Sequence, residues 1–352
     1  ITKIAEKRCE LMNLKKATGF LLVVLTFFTL NTASVEAALI GTKQEISMGK
    51  PVAKQFEDKY GLVEDEALQA RINEIGMKMV KICERKDLPY TFKVLNSDDV
   101  NAVAVPGGFI YVYKGLTDLM KTDDELAGVI GHELGHIVER HSVHQMEKTL
   151  GMSLLLGGLF KDNSVVLQSL ALNVIMAGYS RSDEKEADHL GFVHSTKAGY
   201  NPYGMLIGLM KLSSLNPDQK NSWFSTHPEG KTRIELAKKD LTAAGIKPTV
   251  NQTATEIKVV DGAWQLPAIK ADAGGTEAIY RAYLIAGRIY QAGLDLQYNN
   301  NKYILDSDGV NLIIYYDNQI IMTVTEDDAS AYNMNIYETA NMYMDALRNW
   351  KK

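Results

Sequence analysis

Five residues constrain this chain more than any others: His132-Glu133-Leu134-Gly135-His136. A helix turns about 100° per residue, so these three polar side chains share one sector of its surface. Two imidazoles one turn apart can hold one zinc ion while the carboxylate between them reaches a water beside the metal. Thr122-Asp123-Asp124-Glu125 has the pattern of a capping box. The spacing therefore predicts a helix that starts there and runs through His136 toward Leu150.

A catalytic zinc needs three protein ligands and an open position, so a third ligand must come from elsewhere. A further histidine six residues after His136 would complete one known pattern, but Ser142 stands there and Glu139 replaces the glycine that pattern requires. The better source is Ser180 to Asp188, where Glu184 and Asp188 lie one helical turn apart on one face. Glu184 is the candidate ligand. Asp188 is the candidate acceptor for the outer N–H of a ligand histidine, fixing its tautomer. Glu186 projects differently and reads as solvated. Arg140, Arg181 and Arg233 read as structural ion-pair partners, and His141, His144, His189 and His194 as surface or core histidines.

These motifs belong to a longer series. Asn101-Ala102-x-Ala104-x-Pro106-Gly107-Gly108 precedes the histidine motif, Arg140-His141 follows it, and then come Ser180-Arg181-x-x-Glu184-x-x-Ala187-Asp188 and Thr226-His227-Pro228 with Arg233 beyond. In this the chain resembles metallopeptidase family forty-eight, the gluzincin group that contains the HtpX-like and CAAX-prenyl-protease-like enzymes. The resemblance covers about Ile46 to Ala244. It implies an α+β protein whose zincin-type protease domain is mainly helical with a small sheet. It also implies one zinc on His132, His136 and Glu184, endopeptidase activity, and quality control of misfolded or misassembled envelope proteins.

In the chemistry so implied, Glu133 takes a proton from a water that zinc polarises and returns it to the leaving amine. The motif around His227 gives that residue one of two roles, stabiliser of the oxyanion or fourth metal ligand. The plainer alternative is a loop histidine packed against Pro228. Phe109 to Tyr113, entered from Gly107-Gly108, reads as a strand that could lie at a sheet edge and pair with an extended peptide. Asn101, Ala102, Gly107, Gly108, Phe109 and Tyr111 are then the substrate-binding candidates. Plain sheet core is the alternative, because strand propensity does not reveal an edge.

The remainder of the chain frames this centre. Lys15-Lys16 precede an uncharged run from Ala17 to Val35 whose most apolar part, Phe20 to Leu30, is shorter than the roughly 20 residues of a bilayer span. Val35-Glu36-Ala37 puts small residues where a signal peptidase reads. The expectation is a signal peptide over 1–37, with 1–11 upstream of Met12, and an exported, periplasmic or otherwise extracytoplasmic, soluble protein without a span after removal. Of two cysteines, only Cys83 would remain, and a lone thiol reads as a small buried hydrophobe. The balance of 38 Lys+Arg against 43 Asp+Glu argues against a nucleic-acid partner.

The apolar stretch Gly151 to Tyr179 is divided by Lys161-Asp162-Asn163 and reads as core helices or a flap over the site. The domain expectation is a protease domain over 38–247, a linker over 248–256 around Pro248, and a small α+β domain over 257–352. In that last part, ten of the seventeen tyrosines fall between Tyr280 and Tyr343, a composition suited to a protein-partner surface or to a small core. Asp317-Asn318 reads as a two-residue hairpin turn, and a final helix is expected from about Asp328 to Trp350. Two rival readings accompany the protease: a chaperone-like or partner-binding module on a gated fold, and a membrane-embedded processing peptidase with Gly151 to Tyr179 inserted.

Overall fold

A computed structural model of the chain describes residues 40–155, 164–215, 223–227 and 230–350. The expected signal peptide, the divider Lys161-Asp162-Asn163 and most of the expected loop from Asn216 to Pro228 lie outside the described residues.

Two helices, α1 (Thr42–Tyr60) and α2 (Glu66–Val80), lead into strands β1 (Thr91–Leu95), β2 (Ala102–Val105) and β3 (Phe109–Tyr113). Their order in the sheet is β1-β3-β2, with β1 parallel and β2 antiparallel to β3. Of the two alternatives left open for Phe109 to Tyr113, a sheet edge or sheet core, the topology gives the second: that strand is central. The reason lies in the turn before it. Gly107 and Gly108, at φ +93° and +94°, fold β2 back along one side of β3, while Thr91 N donates to Gly108 O at 2.9 Å and starts β1 along the other.

A short helix α3 (Lys114–Leu119) delivers the chain to α4 (Asp123–Val138). The capping box forms: Glu125 N donates to Thr122 Oγ1 at 3.2 Å, and Glu125 Oε2 accepts from Thr122 N at 3.3 Å. Every residue from Glu125 to Ile137 is buried, so α4 is enclosed on all its faces. It does not continue to Leu150. Arg140 adopts a left-handed φ of +57°, which breaks the helix and starts α5 (His141–Leu155) in a new direction.

Next come α6 (Ser164–Ala177), α7 (Arg181–Lys197), α8 (Gly204–Ser214), the single turn α9 (Trp223–Thr226) and α10 (Gly230–Ala243). Helices α4 and α7 cross at backbone contact. A Cβ on Gly131 would lie 2.9 Å from Gly191 O, and one on Gly135 would lie 3.0 Å from Ala187 Cα. Small residues at these positions let the polar faces of the two helices meet. Ile72, Ile75 and Met79 of α2, Phe92, Val94, Ile110 and Val112 of the sheet, and Leu126, Ile130 and Leu134 of α4 form the core behind them.

The C-terminal part is a small α+β domain. Strands β4 (Thr249–Gln252), β5 (Ile257–Asp261) and β6 (Trp264–Gln265) make one antiparallel sheet. Residues expected inside a linker thus form β4, because Thr249 to Gln252 find register partners from Val260 to Ile257. Helix α11 (Ala278–Gly293) is followed by β7 (Tyr303–Ser307), β8 (Leu312–Tyr316) and β9 (Gln319–Val324), also antiparallel, with Asp317 at φ +50° in the expected turn. The single last helix expected is two, α12 (Glu326–Tyr332) and α13 (Ile336–Arg348), parted at Asn333, whose φ is +53°.

This domain shares its core with the helices that precede it. Ala282, Leu284, Ile285 and Ile289 of α11 belong to one buried cluster with Phe192, Tyr203, Met205 and Leu206. Asn201 Nδ2, fully buried, donates to Leu284 O at 2.8 Å across the joint. Cys83 is a free, buried thiol, and burial pushes its pKa up. Among the described residues, no helix is long and apolar enough to cross a membrane.

Candidate metal centre

The buried face of α4 presents His132, Glu133 and His136, all at most 1% exposed. Across the glycine crossing, α7 presents Glu184 and Asp188 to them. The Ser180 N-cap, whose Oγ accepts from Asp183 N at 3.3 Å, starts α7 so that Glu184 falls in its first turn. The turn after α9 supplies His227, and the start of α10 supplies Arg233; both are buried.

His132, His136, Glu184 and His227 each offer a ligand atom, and these atoms all lie within 4.8 Å of one another. His132 Nε2 is 3.0 Å from His136 Nε2 and 3.7 Å from Glu184 Oε2, and His136 Nε2 is 3.4 Å from Glu184 Oε1. Donors bound tetrahedrally at about 2.0–2.1 Å stand roughly 3.3 Å apart, so these spacings fit a zinc ion. The donor set of two imidazoles and one carboxylate fits it as well. His227 Nδ1 is 3.0 Å from Glu184 Oε1 and 3.2 Å from His132 Nε2, which puts it in the same group.

The outer atoms of the two α4 histidines are also engaged. His132 Nδ1 is 2.9 Å from Asp188 Oδ1, leaving Nε2 with its lone pair toward the group. Arg233 holds that carboxylate through Nε and Nη2, and its Nη1 lies 2.7 Å from Glu184 Oε2. His136 Nδ1 is 2.9 Å from His141 Nδ1, and His141 Nε2 is 3.3 Å from Glu186 Oε2. The Tyr179 ring stacks on His136 at 3.7 Å between centroids, and Trp223 stacks on His227 at 4.2 Å.

Glu133 differs from its neighbours. Neither of its carboxylate oxygens has a hydrogen-bond partner among the described residues, although both are buried, and Oε1 lies 3.5 Å from His227 Nε2. Burial pushes this carboxyl above the usual range against the pull of His227 and His132. Burial acts on Glu184 too, but the charge of His227 and its bonds to His136 and His227 outweigh it and hold Glu184 far below that range. Asp188 likewise lies low because Arg233 outweighs its burial. Burial drives His136 well below the ordinary histidine value, whereas in His227 the nearby Glu184 and Glu133 overcome burial and raise it.

A cavity of about 100 Å³ opens onto Glu133 and His227. Asn101, Ala102, Val103 and Ala104 line one side, and Ile175 and Met176 of α6 also line it. Of the six substrate-binding candidates, Asn101 and Ala102 are thus at the site. Gly107, Gly108, Phe109 and Tyr111 are not among its lining: Gly107 N donates to Glu45 Oε1 at 3.1 Å, and Tyr111 Oη donates to Glu57 Oε1 at 2.7 Å on α1. Arg233 is the ion-pair partner the sequence suggests, to Asp188 and Glu184, and His141 is a buried histidine; both also touch the centre. Arg233 had a signal in its fixed place after Thr226-His227-Pro228. His141 had one in Arg140-His141 after the histidine motif, but five residues along an unbroken helix it would point away from His136.

This arrangement on paired helices defines a metalloprotease of the His-Glu-x-x-His type. Residues 66–240 match the model of peptidase family M48, and the chain belongs to that family, whose metalloproteases depend on zinc. It is 29% identical to metalloprotease YcaL of Escherichia coli (strain K12) over 62% of this chain and 96% of that protein. It is 32% identical to metalloprotease LoiP of the same organism, over 45% of this chain and 66% of that one. With the beta-barrel assembly-enhancing protease of Escherichia coli (strain K12) it shares 28% identity over 60% of this chain, spanning under half (46%) of that relative. Residues 257–350 match a domain of unknown function, DUF8459.

Proposed function

We propose that the chain is a zinc endopeptidase that cuts misfolded or misassembled proteins of the cell envelope, with His132, His136 and Glu184 as metal ligands and Glu133 as the base. The observation that carries this reading is the Glu133 carboxylate, buried beside the ligand group with neither oxygen hydrogen-bonded to the described residues. A buried carboxylate left in this way costs stability, and a proton-transfer role explains why it is kept.

Bound zinc supplies a Lewis acid that polarises a water and the scissile carbonyl. Glu133 takes the proton from that water and delivers it to the departing amine nitrogen. Asp188 and Arg233 hold His132 in the tautomer with Nε2 free, and His141 does the same for His136. His227, whose Nδ1 lies in the ligand group, would either join the ligands of a bound zinc or donate from its ring to the oxyanion. Asn101 to Ala104 form the wall along which an extended substrate lies. The cavity holds only a few waters, so a peptide enters with a shift of α6, where Ile175 and Met176 line it.

The envelope assignment rests on the uncharged segment before Ala38 and on the names of the relatives, one of which is a beta-barrel assembly-enhancing protease. We divide the chain into a signal peptide over 1–37, a protease domain over 38–247 and a C-terminal domain over 257–352 that meets protein partners. The test is degradation of an unfolded protein such as casein by the zinc-loaded chain beside Glu133→Gln. The variant should keep zinc and lose about 10²- to 10⁴-fold in turnover. Equal turnover by both removes Glu133 as base, and no turnover by either, with zinc bound, favours a binding protein on a protease fold.

A further inference from the structure

Away from the metal centre, a second cavity of about 310 Å³ lies between α11, strands β8 and β9, and Thr122, the N-cap of α4. Its volume is that of a small-molecule site. Two arginines on one face of α11 reach it, and their surroundings differ. Arg281 is matched: Nη1 and Nη2 bind Asp328 Oδ1 and Oδ2 at 2.9 and 2.8 Å. Arg288, two turns further on, has no carboxylate within ion-pair distance among the described residues. Its hydrogen bond there is a long one, from Nη1 to Ile321 O at 3.4 Å.

The acidic groups that act on Arg288 are Asp124 and Glu125, and neither lies within ion-pair distance of it. Asp124 Oδ1 accepts from Asn201 N at 2.8 Å, and Glu125 Oε1 lies 2.9 Å from Lys211 Nζ. Burial therefore holds Arg288 below the usual arginine range in spite of them. A guanidinium carries five N–H donors, so most of those on Arg288 remain to be used. Thr276 and Thr323 also line the cavity. Behind these polar groups the lining is apolar, with Leu284, Ile285 and Met322.

We propose that this cavity binds a small organic anion, its oxyanion head held by Arg288, Thr276 and Thr323 and its apolar body against Leu284, Ile285 and Met322. A partly buried guanidinium with no ion pair among the described residues is satisfied by a carboxylate or phosphate, which accepts its paired donors side by side. A metal cation is repelled by the same arginines. The site joins the C-terminal domain to the start of the zinc helix, so its occupant bridges the two.

The experiment is titration calorimetry of the full chain with hexanoate and with hexyl phosphate, beside Arg288→Gln and Thr323→Val. Saturable binding is expected, with affinity at least tenfold weaker in Arg288→Gln and several-fold weaker in Thr323→Val. Shortening hexanoate to acetate should weaken binding by about fourfold for each methylene that leaves the apolar wall. The tighter of the two six-carbon probes identifies the head group as carboxylate or phosphate. No saturable binding of either, or binding unchanged in Arg288→Gln, overturns the proposal. If Arg288→Gln fails to fold, by circular dichroism, Thr323→Val decides, and unchanged affinity there overturns it equally. None of these readings depends on proteolysis.

Discussion

Arg233 grips both oxygens of Asp188, from Nε at 2.7 Å and Nη2 at 2.7 Å, and that same carboxylate meets His132 Nδ1 at 2.9 Å. Three buried charged or titratable groups thus form a chain from α10 through α7 to α4. Arg233 also reaches Glu184 Oε2 at 2.7 Å, so one cation steadies a candidate ligand and the support of another.

Replacing Arg233 by Met should therefore do more than remove a salt bridge. It leaves Asp188 and Glu184 buried without their cation, and breaking a buried pair in this way costs about 3–5 kcal/mol. We expect that loss in urea unfolding of the metal-free protein. A stability within about 1 kcal/mol of the parent, the scale of an exposed pair, would show that the arginine is not needed.

The second outer contact is His136 to His141. His141→Phe keeps a ring in place and removes the acceptor, leaving His136 free to turn or to change tautomer. Loss of such outer partners weakens metal affinity by about 10- to 100-fold. Zinc competition against a chelator should show that fall, with a smaller one for Glu186→Gln, since the Glu186 side chain is 54% exposed. Unchanged zinc affinity in His141→Phe would mean that stacking on Tyr179 is enough to hold His136.

What the sequence made legible follows from what is local. His132, Glu133 and His136 were readable because a helix fixes their relation within five residues, and Glu184 with Asp188 because they too lie one turn apart on a helix. The capping boxes at Thr122 and Ser180 set where those helices start. Two readings failed where a single backbone torsion decides the outcome. Arg140 and Asn333 adopt positive φ without being glycine, so helices expected to be continuous are broken. The rank of β3 in its sheet depends on pairing with β1, fourteen or more residues earlier, which strand pattern does not encode. His141 was lost with the first of these errors, because its contact exists only once Arg140 has broken the helix.

The crossing of α4 and α7 should tolerate no added carbon. In Gly135→Ala the new Cβ would lie 3.0 Å from both Ala187 Cα and Ala187 O, which are backbone atoms that yield only if a helix moves. Alanine favours a helix over glycine by about 1 kcal/mol, while overpacking costs about 1–3 kcal/mol. The net change in stability is therefore small or unfavourable. The larger effect falls on the centre, since any shift of α7 carries Glu184 away from His136. We expect zinc affinity to drop more than the melting temperature does, and the reverse order would place the cost in general packing.

The C-terminal domain should prove inseparable from the protease. A fragment ending at Lys247 would expose Phe192, Tyr203, Met205 and Leu206, which share a core with α11, and would leave Asn201 Nδ2 without Leu284 O. Exposed apolar surface of that extent leads to association. The fragment should bind hydrophobic dye, melt without a cooperative transition and hold zinc weakly. A milder probe of the same joint is Gly287→Ala in the full chain, where a Cβ would sit 1.8 Å from Asn201 Oδ1 and would push it from its pocket. Asn201 N also donates to Asp124 in the first turn of α4, so that displacement travels to the zinc helix. Cooperative melting and normal zinc affinity in the fragment would instead show that 257–350 is an independent module, and the shared core only a docking surface.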